Sequence, residues 1–169
     1  MTPSRNKPAI AVCALLAALA LIFSYIEVLI PAFTSIPGIK LGIANIVILI
    51  ALYYLDGRYA LLINLVRIFL AGLLFSGVFG ILYSLAGALL SLGTMVLLKR
   101  TGRFSVTGVS IAGGVMHNFG QILVASVVVG TIKVFAYFPV LILSGVVCGA
   151  VIGILAQLIL LRLRNTSLS

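Results

Sequence analysis

Apolar residues run almost unbroken along this chain, in stretches that end at clusters of charge, glycine or proline. The stretches lie at about Ala9 to Leu29, Leu41 to Leu55, Tyr59 to Phe75, Val78 to Leu98, Val106 to Val129 and Phe135 to Leu161. A membrane-spanning helix takes about 20 apolar residues, and the second and third stretches are the short ones. The pattern predicts an all-α integral membrane protein, a bundle of six transmembrane helices forming a single domain over residues 1–169. Between the first two stretches, Pro31, Pro37 and Gly38 interrupt a segment too polar and broken to continue a helix. It reads as a loop that can dip back into the bundle.

Composition closes off the soluble alternatives. The chain is 63% hydrophobic and 8% charged, with a mean hydropathy of +1.38, whereas a soluble domain carries about 25% charged residues. Eleven Lys and Arg face only two acids, Glu27 and Asp56, so chemistry built on paired carboxylates has no residues to use. Asp56 sits in the turn Asp56-Gly57-Arg58 and reads as a solvated turn residue. There is no Walker motif, aspartate-rich prenyl-diphosphate signature, Ser/His/Asp set or HExxH, so no catalytic residue and no ATP hydrolysis are expected. Cys13 and Cys148 lie inside apolar runs without metal-ligand spacing; they read as small buried hydrophobes, and no metal or cofactor is expected.

The net charge of +9 is carried between apolar runs rather than along one polar face, which points to membrane topology and not to nucleic acid. With the N-terminus inside, Arg5, Lys7, Arg58, Lys99, Arg100, Arg103, Arg162 and Arg164 fall on the cytoplasmic side, and only Lys40 and Lys133 fall outside. A secretory signal is the alternative for the N-terminus, since Arg5 and Lys7 precede an apolar run containing Ala18-Leu19-Ala20. That run continues through Tyr25 with no polar break. Tyr25, Tyr53, Tyr54, Tyr59 and Tyr137 supply the interfacial aromatics in a chain without Trp. The location expected is the cell membrane, with both termini cytoplasmic.

Polar groups inside the apolar runs are the candidate chemistry. Arg67 lies near the centre of the third stretch, where even the lower insertion scales charge about 2.5–3.5 kcal/mol, so it must face the bundle, a cavity or a partner. Asn64 shares its face, with Ala60 and Ala71. In the fifth stretch Ser110, Gly114, His117 and Gln121 recur on one helical face beside Asn118, which requires a lined pocket or a polar seam. Glu27, near the outer end of the first helix, and Asn45, in the second, face the same outward region; Glu27 has an ion pair with Lys40 or Lys133 as its plain alternative. Gly145, Gly149 and Gly153, like Ser84, Gly87, Ser91 and Thr94, read as close helix packing. Ala14 and Ala18 make a smooth patch on the first helix.

The string Pro37-Gly38-Ile39-Lys40-Leu41-Gly42-Ile43-Ala44-Asn45, the turn Asp56-Gly57-Arg58 and the run from Asn64 to Arg67 resemble the Gx transporter family, also described as heptaprenyl diphosphate synthase component I. Tyr83-Ser84-Leu85-Ala86-Gly87 and the string from Gly114 to Gln121 fit the same family, and the resemblance runs from about Ala9 to Arg162. The general plan is similar to the substrate-binding S components of energy-coupling factor (ECF) vitamin transporters. That resemblance implies a six-helix bundle that takes a ligand near its outer face. It also implies that Ala14 and Ala18 offer an Ala-x-x-x-Ala surface to an ECF coupling subunit and, through it, to ATPases. Ligand motifs for biotin, thiamine or folate are absent.

Three readings follow. In the first, the chain is a membrane subunit that binds a small anionic or amphipathic substrate through Arg67, Asn64, His117, Asn118, Gln121, Asn45, Lys40 and Glu27, with Arg67 as the charge partner. In the second it is a non-catalytic accessory subunit of isoprenoid diphosphate synthesis, and in the third a structural assembly protein whose polar groups only tie helices. All three share one topology. A fluorescent protein fused after Ser169 should glow and an alkaline phosphatase fused there should be inactive; the reverse pair would invert the orientation.

Overall fold

The structure, a computed structural model, describes residues 6–29 and 42–166. These are helical apart from short turns: α1 (Asn6–Leu29), α2 (Ala44–Tyr54), α3 (Gly57–Ala71), α4 (Gly77–Thr101), α5 (Val106–Val129) and α6 (Phe138–Thr166). A π-helical turn, Gly72–Ser76, joins α3 to α4, and a 3₁₀ segment, Ile132–Tyr137, leads into α6. Four stretches are long and apolar enough to cross a membrane: Ile10–Leu29, Gly57–Thr101, Val106–Val129 and Ile132–Asn165. The protein is therefore a helical, membrane-inserted one. The expected loop from Pro31 to Lys40 lies outside the described residues.

The second predicted crossing needs correction. Helix α2 has 11 residues, about 16 Å at 1.5 Å per residue, which is half of a hydrocarbon core about 30 Å thick. It is apolar all round because it is buried all round: Val47, Ile48, Leu49, Ala51 and Leu52 are each at most 1% exposed. Around it pack Ala20 of α1, Ala60 and Ile63 of α3, Leu92 and Met95 of α4, Val109 of α5, and Ile152 and Ala156 of α6. The short helix is the central post of the bundle.

The 45-residue stretch Gly57–Thr101 would be a rod of about 68 Å if straight, yet it folds into a hairpin. Gly77 breaks it with φ +69° and ψ −179°, a conformation that in practice only glycine adopts. The returning helix is close: a Cβ on Gly57 would lie 3.1 Å from the Val96 side chain, and one on Gly72 would overlap Ile81. At the far end of α4, Gly102 takes the left-handed conformation at φ +66° and ends the helix. Ser105 then accepts a hydrogen bond from the Gly108 N–H at 3.1 Å and starts α5.

These turns gather the basic residues. Lys99 Nζ donates to the Leu52 carbonyl at 2.6 Å and sits 5.0 Å from the Tyr53 ring centroid, where it caps the C-terminus of α2. Tyr54, Val106 and Arg164 line one crevice at the same end. Arg58, Lys99, Arg100, Arg103, Arg162 and Arg164 thus share one end of the bundle, as the charge pattern predicts, and Lys133 lies at the other.

Helices α5 and α6 touch backbone to backbone. A Cβ on Gly114 would meet the Gly145 carbonyl oxygen at 2.5 Å, and one on Gly149 would meet Ile111 Cα at 2.7 Å. The glycine ladder therefore sets the helix separation, as its spacing predicts. Gly149→Ala should destabilise by about 1–3 kcal/mol, lowering the melting temperature in detergent by roughly 3–10 °C. Gly93→Ala, where an added Cβ meets nothing within 4 Å, is the control; equal melting of the two variants would contradict the packing.

Candidate functional site

The polar residues collect at one depth. From the basic end, Asn45 lies nine residues up α2, Arg67 ten up α3 and His117 eleven up α5, so each is about 14–16 Å in. This is the middle of a bilayer about 30 Å thick. It is also the depth at which α2 begins, so the N-terminus of α2 lies among them.

On one side of that N-terminus stands a network between α1 and α3. Arg67 is 7% exposed and Asn64 3%. Arg67 Nε and Nη2 donate to Asn64 Oδ1 at 3.2 and 2.7 Å, and Nη1 donates to Ser24 Oγ at 3.2 Å. Ser24 donates its own hydroxyl proton to the Ala20 carbonyl at 3.0 Å. Three of the five guanidinium donors are thus held by the two helices. Glu27 lies close enough for its charge to act on Arg67, and its Oε1 accepts the Ile43 N–H at 2.5 Å. Ile43 has helical backbone angles and no side-chain cap of its own, so the carboxylate from α1 takes an orphan amide of α2, with the favourable sign for a helix N-terminus.

On the other side lies a cavity of about 30 Å³, room for about two waters. Asn45 of α2, Ser91 of α4, Ser110, His117 and Asn118 of α5, and Ser144 and Cys148 of α6 line it. The Asn118 amide donates to the Leu141 carbonyl at 2.7 Å, which pins α5 to α6 and fixes the side chain. The imidazole of His117 rests against Gly87, where a Cβ would lie 2.8 Å from Nδ1 and 2.9 Å from the His117 carbonyl oxygen; only glycine leaves space there. One turn further along α5, Gln121 is 3% exposed, and neither its Oε1 nor its Nε2 has a hydrogen-bond partner among the described residues.

The structure therefore divides the predicted site residues. Arg67, Asn64 and Glu27 form the α1–α3 network, Asn45, His117 and Asn118 border the cavity, and Gln121 is buried beyond its rim. Lys40 lies outside the described residues. Glu27, for which an ion pair with Lys40 or Lys133 is the plain alternative, accepts the Ile43 N–H and lies in the field of Arg67; the Lys40 pairing lies outside the described residues. Ala14 and Ala18 are exposed on α1. Sequence reasoning missed Ser24 as the partner of Arg67, 43 residues away, and missed Ser144 and Cys148 as lining. Their signal was polar character within a small-residue helix face, which reads equally well as packing. Among the described residues no group of three His, Cys, Asp or Glu side chains is placed to hold a metal.

Comparison with known proteins gives one family. The family described as heptaprenyl diphosphate synthase component I matches residues 16–159. No curated protein and no solved structure is a match. The matched segment runs from the middle of α1 to the last third of α6 and takes in both the Arg67 network and the cavity, so the chain belongs to the heptaprenyl diphosphate synthase component I family.

Proposed function

We propose that the protein is the substrate-binding membrane subunit of a transport system, a single helical-bundle domain of S-component type in the cell membrane with its basic end in the cytoplasm. The observation that carries this reading is the cavity at the mid-membrane end of α2, bordered by polar side chains from four helices. A bundle that needed only stability would close that volume with aliphatic side chains, since lone polar groups at this depth are costly. His117, Asn118 and Asn45 supply donors and acceptors for a small polar or anionic group, and Gln121 adds an amide with bonding capacity to spare.

Arg67 has a second task in this reading. Held by Asn64 and Ser24, it sets the field in which Glu27 caps α2, so it positions the helix that forms the cavity wall and adds positive potential for an anion. The exposed Ala14 and Ala18 give α1 a smooth face for a coupling subunit that brings ATPases, as this chain has no nucleotide motif.

The family's description favours a second reading, in which the chain is a non-catalytic membrane component of a prenyl diphosphate synthase. There the exposed basic end is the face available to a soluble partner. Native mass spectrometry of protein released gently from its own membrane separates the two. The transport reading expects a small-molecule adduct or coupling subunits, and the synthase reading a soluble prenyl synthase. His117→Ala should lower adduct occupancy about tenfold, the loss of one good buried hydrogen bond. If His117→Ala and Arg67→Ala both leave it unchanged, the site assignment fails.

A further inference from the structure

At the basic end, between the two arms of the α3–α4 hairpin, lies a groove of about 810 Å³, separate from the polar layer at mid-membrane. Its walls are Leu61 of α3 and Leu89, Val96 and Leu97 of α4. Gly93 is its floor, exposed and with nothing within 4 Å of an added Cβ. The trough from Leu89 to Arg100 spans about 11 residues, or about 16 Å, which is the depth of one leaflet of a hydrocarbon core about 30 Å thick. At its mouth stand Arg58 and Arg100, both exposed, with Asp56 and Lys99.

The charge balance at the mouth calls for an anion. Arg58, Lys99 and Arg100 against Asp56 leave about two positive charges there, and because Lys99 is engaged by the Leu52 carbonyl and the Tyr53 ring, the two arginines are the groups that reach a headgroup. That surplus suits an anionic headgroup, and the sideways opening of the trough decides which kind of molecule carries it. Leu61, Leu89 and Leu97 are exposed along the trough, so it is open sideways to the bilayer, as a two-chain lipid requires. We infer that the α3–α4 groove is a binding site for one anionic phospholipid of the leaflet at the basic end, its phosphodiester on Arg58 and Arg100 and one acyl chain over Gly93. The inference is independent of the transport reading.

The test is native mass spectrometry of the full chain released from nanodiscs of equimolar phosphatidylglycerol and phosphatidylcholine with identical chains. The wild type should retain one phosphatidylglycerol in preference, by roughly fivefold per arginine. The Arg58→Ala/Arg100→Ala double variant should fall to parity, and Arg103→Ala, which alters a basic residue outside the groove, should keep the preference. Gly93→Leu fills the floor without touching charge and should lose the retained lipid. Parity in the wild type, an equal loss in Arg103→Ala, or unchanged retention in Gly93→Leu would overturn the site. Displacement of the lipid by equimolar farnesyl diphosphate would overturn it in favour of an isoprenoid diphosphate.

Discussion

A helix that stops halfway across a bilayer leaves its first amide groups where there is no water to receive them, and each one unmet is costly. The N-terminus of α2 is such a place, and the Glu27 carboxylate meets it through the Ile43 N–H. A half-buried carboxylate within the bundle is itself costly, and Arg67 stands near it, its guanidinium in turn held by Asn64 and Ser24. Each polar group of this network is present because the one before it needs it. The sequence of dependence ends at Ala20, whose carbonyl accepts the Ser24 hydroxyl. The start of α2 then fixes Asn45, and with it one wall of the cavity.

This chain of contacts explains a division of labour among residues of one polar layer. The α1–α3 side is closely hydrogen-bonded, and tying helices together is its direct effect. The α5–α6 side is only partly saturated: Asn118 is anchored on Leu141, while the Gln121 amide is not matched among the described residues. Buried polar groups that hold a fold find their partners within it, and groups that serve a ligand keep some capacity back. The glycine ladder of α5 and α6 allows this, because backbone contact at Gly114, Gly145 and Gly149 supplies cohesion without large side chains that would fill the cavity.

Much of this is legible in the sequence for physical reasons. Apolar runs bounded by charge mark the helix limits to within a few residues, and four-residue glycine spacing marks the α5–α6 seam. The cost of a charge at mid-depth singles out Arg67 by its position in an apolar run alone. The shortness of the second stretch is legible but its place as a buried post is not, because a helix buried on every side by protein and one buried by lipid have the same apolar composition. Nor is the Ser24–Arg67 bond, since a serine in an apolar run carries no mark of a partner 43 residues away. Lys99 reads as a topology signal and is also a cap for α2; one charge can do both, and sequence shows only the first.

The dependence of the bundle on Glu27 is most directly tested by hydrogen–deuterium exchange of the first turn of α2 in the wild type and in Glu27→Leu. If the carboxylate holds that turn, amides of residues 43–47 should exchange faster in the variant while those of residues 50–54, under the Lys99 cap, keep their protection. Equal protection of residues 43–47 in both proteins would contradict the account, for the N-terminus of α2 would then be held by something other than Glu27.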